Sequence, residues 1–511
     1  MDMKKEELMY RTVEGECKQN VRLEAEMSVS EAEAELVKIL HAESSTVVRN
    51  TEVQNERVVV NGETVFRILC QNEDEDVRLL TTKVPFSEVA DMKSCNEDMQ
   101  VVTTVKMQHT DAKQLGPRKI NAKAGIEVVV VAYDTKNKMY VTEIAENGVE
   151  ERKENVSFMQ SCGKYQRRFE VREQVEIAKE NPSVYEILRV DGKVSAEGYK
   201  VVNHKVVVNA LLNAVILYVD DSAYQICTAS LSIPFTEIFD IENVEEDWFI
   251  LQNMVAENIS FEVEADERGE MRLVHLCCDA NYTADMYRPM HCSFVTDCYG
   301  VCKKTDMQTE KTPTFFQKGS LNGQIGIKGQ IEIGDNPKVA QVYYLQAEPK
   351  VESAVVNDGT CQVRGSADIR VYYITEDSSC KLAVLQKNIP FSESFACDTN
   401  QANVVLQVKA SGISYTLNGD YVIDIRGNIL FEGIALESGS VNAVCDVTLS
   451  DPVTQTDLPS VTICFAQDGE GLWDVAKRYS ASVKAIMEEN NVTENSNLSG
   501  KRLIVPKNRG I

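Results

Sequence analysis

The chain repeats parts of its own sequence three times. Val58-Val-Val-Asn61 recurs as Val206-Val-Val-Asn209, while Val84-Pro-Phe-Ser-Glu88 recurs as Ile233-Pro-Phe-Thr-Glu237 and as Ile389-Pro-Phe-Ser-Glu393. Self-similarity of this kind predicts several copies of one folded unit. We therefore predict three modules after an N-terminal segment at residues 1–29, and place them at residues 30–150, 170–300 and 326–440.

Each copy has the sequence pattern of β structure. Its apolar runs are short, rich in Val, Ile, Thr and Tyr, and separated by Gly, Asn and Asp, which favour turns. The pattern predicts a mainly β fold with three repeated all-β modules in series, each sandwich-like or barrel-like. The intervals 137–170 and 289–325 are polar and irregular, so we expect β edges and flexible connectors there.

The start of the first copy allows two interpretations. Ser30 and Glu33 fit a helix capping box, and an apolar stripe at helical spacing continues through Leu36. However, Ile39-Leu40 aligns with Ile187-Leu188 in the second copy, where the sequence is typical of a strand. Helix and strand both remain open at this position.

The repeated Pro-Phe pair has a structural explanation. Proline lacks the backbone N–H that an interior strand needs, so we expect each segment to lie at a sheet edge. The phenylalanine is expected in the module core, and the following Ser or Thr hydroxyl can bond a backbone amide at a turn. The alternative is a binding loop displayed three times. The structural residues are Pro85, Phe86, Pro234, Phe235, Pro390 and Phe391.

Residues 460–511 have a different pattern. A linker rich in Asp, Thr, Pro and Gln, which we place at 441–459, precedes a strand candidate at 460–466. Apolar residues from Leu472 to Tyr479 then recur at helical spacing, and Ser482 can cap a second helix. A strand at 500–506 closes the segment. The pattern predicts a small α+β domain of strand-helix-helix-strand order, with two loops side by side at one end of its sheet.

This segment resembles a LysM domain. Gly469-Glu-Gly-Leu-Trp473 corresponds to the family's Gly-Asp-Thr-Leu-Trp, and the likeness continues through Gly500-Lys-Arg-Leu-Ile-Val-Pro506. The resemblance implies a core that includes Trp473, Ala476, Tyr479, Ile486 and Ile504. In the family, two loops form a groove for N-acetylglucosamine chains. Carried over, a groove for glycan or protein would comprise Gly469, Glu470, Gly471, Leu472, Asn490, Asn491, Val492 and Leu498.

Charge and hydropathy limit the remaining function classes. The net charge of −26 repels phosphate backbones, so we expect no nucleic-acid partner. The longest apolar run, from Val206 to Val219, is interrupted by Asn209 and Asn213 and is too short to span a bilayer. Charged residues rather than an apolar stretch follow Met1, so we expect no secretory signal and a cytoplasmic location.

The 15 cysteines have no framework spacing, and we expect most of them to be reduced thiols. A cluster of soft ligands comprises His275, Cys277, Cys278, His291, Cys292, Cys298 and Cys302. Zinc could bind such residues. However, Cys298 and Cys302 form one C-x3-C pair without a matching second pair, so we expect neither a metal nor a cofactor.

The order of three β modules followed by LysM is similar to that of SipL-type spore coat morphogenetic proteins. The resemblance implies a scaffold or adaptor that docks through LysM to the coat-basement ATPase, stage IV sporulation protein A. It would act at the forespore surface in the mother cell, with other coat proteins as further partners.

Two other function classes remain as alternatives. The first is a cell-wall or cortex protein that binds peptidoglycan through LysM, although Gly471 replaces a hydroxyl residue of the family motif and Glu470 replaces Asp. The second is a wall hydrolase. The 5 histidines stand in no recognised catalytic motif, so we predict that the chain is not an enzyme.

Overall fold

The fold was obtained as a computed structural model. It describes residues 2–74, 76–301, 303–334, 336–376, 382–419, 421–452, 461–494 and 496–506. Within these residues the chain forms three β modules and a small C-terminal domain, so the prediction of a mainly β fold is confirmed.

Module 1 is a sandwich of two antiparallel sheets. Its strands are β1 (Met3–Ser28), β2 (Leu36–Gln54), β3 (Arg57–Asn72), β4 (Val77–Asp91), β5 (Gln100–Gly116) and β6 (Lys119–Ile144). The strand order is β2-β3-β4 in one sheet and β1-β6-β5 in the other. Alternate residues of each strand, such as Val60 and Ile68 in β3 and Ile126 in β6, meet in one buried core.

In this module the structure decides one open alternative and corrects one expectation. Residues 30–40 do not form a helix, because β2 begins at Leu36 and Ser30 lies in a turn. The N-terminal segment 1–29 is not separate either, since β1 pairs with β6 along its whole length.

Modules 2 and 3 repeat this strand order. Module 2 contains β7 (Val149–Glu176), β8 (Val184–Val202), β9 (Lys205–Asp220), β10 (Ile226–Asp240), β11 (Phe249–Ala265) and β12 (Met271–Gly300). Module 3 contains β13 (Lys303–Ser320), β14 (Gly323–Glu332), β15 (Val339–Asn357), β16 (Thr360–Thr375), β17 (Leu382–Ala396), β18 (Asn403–Asn418) and β19 (Val422–Pro452). The paired sheets are β8-β9-β10 with β7-β12-β11, and β15-β16-β17 with β14-β19-β18.

The repeated Pro-Phe pairs lie in the middle of edge strands. Pro85, Pro234 and Pro390 occupy β4, β10 and β17, each at the end of its sheet's strand order. The hydroxyl that follows is therefore not at a turn. Thr236 Oγ1 instead donates to Asn209 Oδ1 of the neighbouring strand, at 3.1 Å.

Glycine explains where the repeated phenylalanines pack. Phe86 is the cross-strand partner of Gly62, and a Cβ on Gly62 would lie 2.5 Å from the Phe86 ring and 2.4 Å from the Val47 carbonyl oxygen. Phe391 and Gly365 form the same pair in module 3. In module 2 the partner of Phe235 is Ala210. Phe86 and Phe391 are buried, whereas Phe235 is half-buried.

The three modules share a central hub. We define the hub as the paired stretches 3–14 with 134–144, 149–160 with 288–300, and 303–320 with 434–452. Tyr140, Phe158, Phe294 and Val441 pack in its core, and the Tyr140 and Phe294 ring centroids lie 4.6 Å apart.

The hub corrects the expectation of flexible connectors at 137–170 and 289–325. These intervals are mostly continuous strand in β6, β7, β12, β13 and the start of β14. They look polar because inward residues such as Val156 and Phe158 alternate with outward residues such as Asn155 and Ser157.

A second contact among the modules is a junction. We define it by the buried residues Leu69, Val77, Leu188, Leu217 and Leu382, packed against the partly buried Leu40 and Tyr343. Leu40, Leu188 and Tyr343 are the extra residues of β-bulges in β2, β8 and β15. A bulge redirects a side chain locally, and here it turns one residue of each module toward the others.

A buried ion cluster lies beside the junction and involves all three modules. The Arg189 side chain is only 4% exposed and pairs with Glu43 at 2.5 Å and with Asp191 at 2.7 Å. Its guanidinium carbon also lies 4.4 Å from the ring centroid of Tyr372. Buried charges need such partners because their desolvation is costly, and here the partners of Arg189 come from all three modules.

The C-terminal domain has the predicted strand-helix-helix-strand order. Its elements are β20 (Val461–Phe465), α1 (Leu472–Arg478), α2 (Val483–Asn490) and β21 (Arg502–Pro506). The two strands are antiparallel, and both helices pack on one face of them through Val475, Ala476 and Ile486. Of the predicted linker, 441–452 belongs to β19, whereas 453–459 and Ser460 lie outside the described residues. None of the described helices has the length and hydrophobicity to cross a membrane.

Candidate functional site

The two loops predicted to form a groove lie next to each other in the C-terminal domain. The Ser499 hydroxyl in the loop before β21 contacts the Asp468 carboxylate in the loop after β20. The Gly500 amide also donates to the Ala466 carbonyl at 3.1 Å. The structure therefore brings together the two chain segments that the LysM resemblance implies.

Several of the predicted groove residues cannot face a ligand. Leu472 and Leu498 are 2% and 1% exposed and belong to the domain core. The Asn490 side chain is bound to β21, where Nδ2 donates to the Ile504 carbonyl and Oδ1 accepts from the Ile504 amide, both at 2.7 Å. Glu470 accepts from the Gln467 amide at 2.9 Å and pairs with Arg478 at 2.8 Å.

The remaining groove residues are small or lie at turns. Gly469, Gly471 and Asn491 are exposed, and Val492 is half-buried. Gly469 and Asn491 have φ values of 81° and 52°, a left-handed conformation that glycine and asparagine adopt most readily. Turn geometry accounts for these two residues without a ligand.

The predicted core residues fall into three groups. Ala476 and Ile486 are buried among the helices and strands, and Tyr479 is half-buried beneath the Arg478 guanidinium at 5.1 Å. Ile504 lies on the side of the sheet away from the helices, since its neighbours Leu503 and Val505 point into the core. Trp473 is half-buried and contacts the hub, as described below.

An apolar surface lies on the helix-free side of this sheet. Val461, Ile463 and Phe465 of β20 are 51%, 60% and 65% exposed, and on β21 Pro506 pairs with Val461 and Ile504 pairs with Ile463. We call these five residues the outer face. Single exposed apolar residues are common, but a contiguous apolar patch marks an interaction surface.

Sequence reasoning missed the outer face, although a signal was present. Between Val461 and Ala466 the outward positions hold the larger apolar side chains, and the inward positions hold Thr462, Cys464 and Ala466. A strand that packs only one face on a core should carry its larger apolar side chains on that inward face.

The modules carry a family match of their own. Two segments of the chain match the family model described as SipL, SPOCS domain. These SipL domain matches cover residues 35–115 and 183–264, which correspond to β2–β5 in module 1 and β8–β11 in module 2. No curated protein and no solved structure matches the chain. The SipL domain indicates a sporulation-related role.

The cysteine and histidine cluster begins just after the second SipL domain match and is spread along β12. Cys278, Cys292 and Cys298 are buried, while Cys277 contacts Glu170 and His275 Nε2 lies 3.0 Å from Glu264. Burial raises the pKa of Cys277 to about 11 and that of Cys278 to about 12, which disfavours the thiolate that a metal needs. Cys302 lies outside the described residues. Among the described residues no group of three His, Cys, Asp or Glu side chains could hold a metal.

Proposed function

We propose that this chain is a non-enzymatic scaffold in spore coat and envelope assembly. In this proposal its C-terminal domain is a LysM domain that docks to the coat-basement ATPase, stage IV sporulation protein A, at the forespore surface. The SipL domain matches support the sporulation role. Module 3 has the strand order and bulge positions of modules 1 and 2, and we propose it as a third SipL domain that contacts other coat proteins.

The outer face is the observation that carries the docking proposal. It presents large apolar side chains, whose burial contributes about 25 cal/mol for each Å² removed from water. A protein surface can cover such a patch. A glycan would need free polar groups in the groove, and Glu470 and Asn490 already have internal partners. These contacts favour a protein ligand over peptidoglycan.

A contact between a serine and a histidine bears on the proposal that the chain has no enzyme activity. Ser157 Oγ lies 2.8 Å from His291 Nδ1, which is the spacing of a nucleophile and its base. However, the two residues are exposed cross-strand neighbours on β7 and β12. A catalytic pair needs a concave site that holds the substrate, so we interpret this contact as a sheet-surface hydrogen bond.

The arrangement of the modules suits a scaffold. The hub and the junction hold three similar modules in a fixed relation, so surfaces repeated among them would be presented at set distances. Several weak contacts made together give an avidity that exceeds the affinity of each one. Attachment of this kind requires no catalytic site.

Single substitutions in the full-length chain test the docking proposal. Val461→Asp and Phe465→Asp place a carboxylate on the outer face, and desolvating it without a partner costs several kcal/mol, so we expect capture of the ATPase from sporulating cells to weaken at least about tenfold. The matched control is Val355→Asp, because Val355 in β15 is 58% exposed and receives the same change.

The outcomes separate the candidate functions. Loss of capture in the outer-face variants, with normal capture by Val355→Asp, would support docking through this face. Unchanged capture in all three variants would refute it. Tight binding of N-acetylglucosamine oligomers without capture of the ATPase would favour the cell-wall alternative.

A further inference from the structure

We infer that Asp297 and Tyr299 of β12 dock the C-terminal domain onto the hub in one fixed orientation. This docking does not require any particular partner for the domain. Both positioning residues belong to the second module, and no sequence motif marks them.

The contact joins one end of the hub to α1 and to the turn after it. The Asp297 carboxylate accepts hydrogen bonds from Trp473 Nε1 at 2.8 Å and from Lys477 Nζ at 2.6 Å. The Tyr299 ring packs against the Trp473 ring with centroids 5.0 Å apart, and its hydroxyl donates to the Ala481 carbonyl at 2.8 Å.

These contacts use groups that need partners. Trp473 and Tyr299 each combine a large apolar ring with one polar atom, and such residues bury well only when that atom is hydrogen-bonded. Tyr299 is 6% exposed and packs within the apolar core of the C-terminal domain, although its backbone belongs to β12. The core of this domain is therefore completed by a residue from the hub.

The geometry fixes the orientation of the domain. Three hydrogen bonds and one ring contact reach separate points on α1 and the residues after it, so rotation about any single contact would break the others. The hub contacts α1, which lies on the helix-covered side of the small sheet, so the outer face on the opposite side points away from the contact. An external partner can reach the outer face, but the Trp473 and Lys477 side chains are engaged by the hub.

The chain provides an internal probe for a direct test. It contains 2 tryptophans, Trp248 in the core of module 2 and Trp473 in the C-terminal domain. In a chain labelled with ¹⁵N at tryptophan, the transverse relaxation of the two indole N–H groups reports the tumbling of each body separately. If the domain is docked, both indoles show the fast transverse relaxation of one slowly tumbling 57.1 kDa particle.

Charge reversal should release the domain without removing a residue from its own core. Asp297→Lys places a cation beside Lys477 and takes the acceptor from Trp473, so we expect the Trp473 indole to relax severalfold more slowly while Trp248 is unchanged. Adding Lys477→Glu to Asp297→Lys restores an ion pair and should return the Trp473 relaxation toward the original rate. Glu154→Lys is the control, because it makes the same charge change on an exposed hub position of β7.

Two results would overturn the inference. One is a Trp473 indole in the unaltered chain that already relaxes like a small tethered domain. The other is an Asp297→Lys variant in which both indoles still tumble together. Neither result depends on capture of the ATPase, so the docking of the domain and its proposed partner are tested separately.

Discussion

Substitution of Gly62 by alanine should destabilise module 1, although glycine in a strand interior is usually the less stable residue. Removing glycine there normally contributes about 0.5–1 kcal/mol of stability. At Gly62 the new methyl group would lie 2.4 Å from the Val47 carbonyl oxygen and 2.5 Å from the Phe86 ring. The carbonyl belongs to the paired strand β2, so β2 and β3 must separate locally, and the Phe86 ring must in addition tilt out of the core.

The size of this effect follows from the two opposing contributions. Overpacking of a well-filled core costs about 1–3 kcal/mol, and partial loss of Phe86 burial adds a fraction of the 3–5 kcal/mol known for complete Phe truncation. After subtracting the normal gain from alanine, we expect Gly62→Ala to cost about 2 kcal/mol. A loss of this size corresponds to about a 30-fold change in the opening equilibrium.

Native-state hydrogen exchange of peptides from β2, β3 and β4 measures this cost locally. Gly365→Ala should have the same effect on module 3. Ala210→Gly is the matched control, because module 2 already accommodates a methyl group opposite Phe235 and should lose no more than about 1 kcal/mol. If β2–β4 are as well protected from hydrogen exchange in the Gly62→Ala variant as in the unaltered chain, the proposed Gly-Phe pairing is incorrect.

Two further predictions concern the ion cluster beside the junction. Arg189→Ala removes the cation that pairs with the largely buried Asp191 and the half-buried Glu43, so urea unfolding should show a loss of about 3–5 kcal/mol. Arg172→Ala at an exposed pair should change little, and an unaltered midpoint for Arg189→Ala would contradict the expected loss. Burial and the charges of Arg189 and Arg370 lower the pKa of His41 from 6.5 to about 3. As the pH falls between these two values, His41 takes up a proton in the unfolded chain but not in the folded chain. The stability from neutral His41 is present above pH 6.5 and is lost on acidification toward pH 3, so His41→Gln should flatten the pH dependence of unfolding in that window; equal slopes for both proteins would refute the assignment.

The sequence predicted the repeated modules because their buried positions carry a strong pattern. Pro85 and its equivalents must occupy edge strands, and Phe86 requires a small cross-strand partner, so these residues recur with little change. The elements of the C-terminal domain were predicted for the same reason, since each has a clear helical or strand period.

The hub and the junction could not be predicted in this way. Hub strands alternate apolar and polar residues, and β7 around Val156 and Phe158 therefore resembled a polar connector. Leu40 and Leu188 reach the junction only because β-bulges redirect them, and a bulge has little sequence signature.

The sequence predicted which loops meet at the candidate site, but not which of their residues are exposed. The two loops are adjacent as expected, yet Leu472 and Leu498 were assigned to a groove although they complete the core. Trp473 was expected to be internal to its domain. Its contact with Tyr299 depends on chain segments far apart in sequence, and no local pattern encodes such a contact.

The hub also determines how the chain can be divided. β6, β12 and β19 each pass from a module into the hub as one unbroken strand. A shortened chain that ends before module 3 would therefore lose the β13–β19 pair of the hub together with the module 3 sandwich. Tyr140, Phe294 and their neighbours would then face water. A rearranged or engineered form of this protein should therefore keep all three modules together, even though the sequence pattern of each is that of a separate domain.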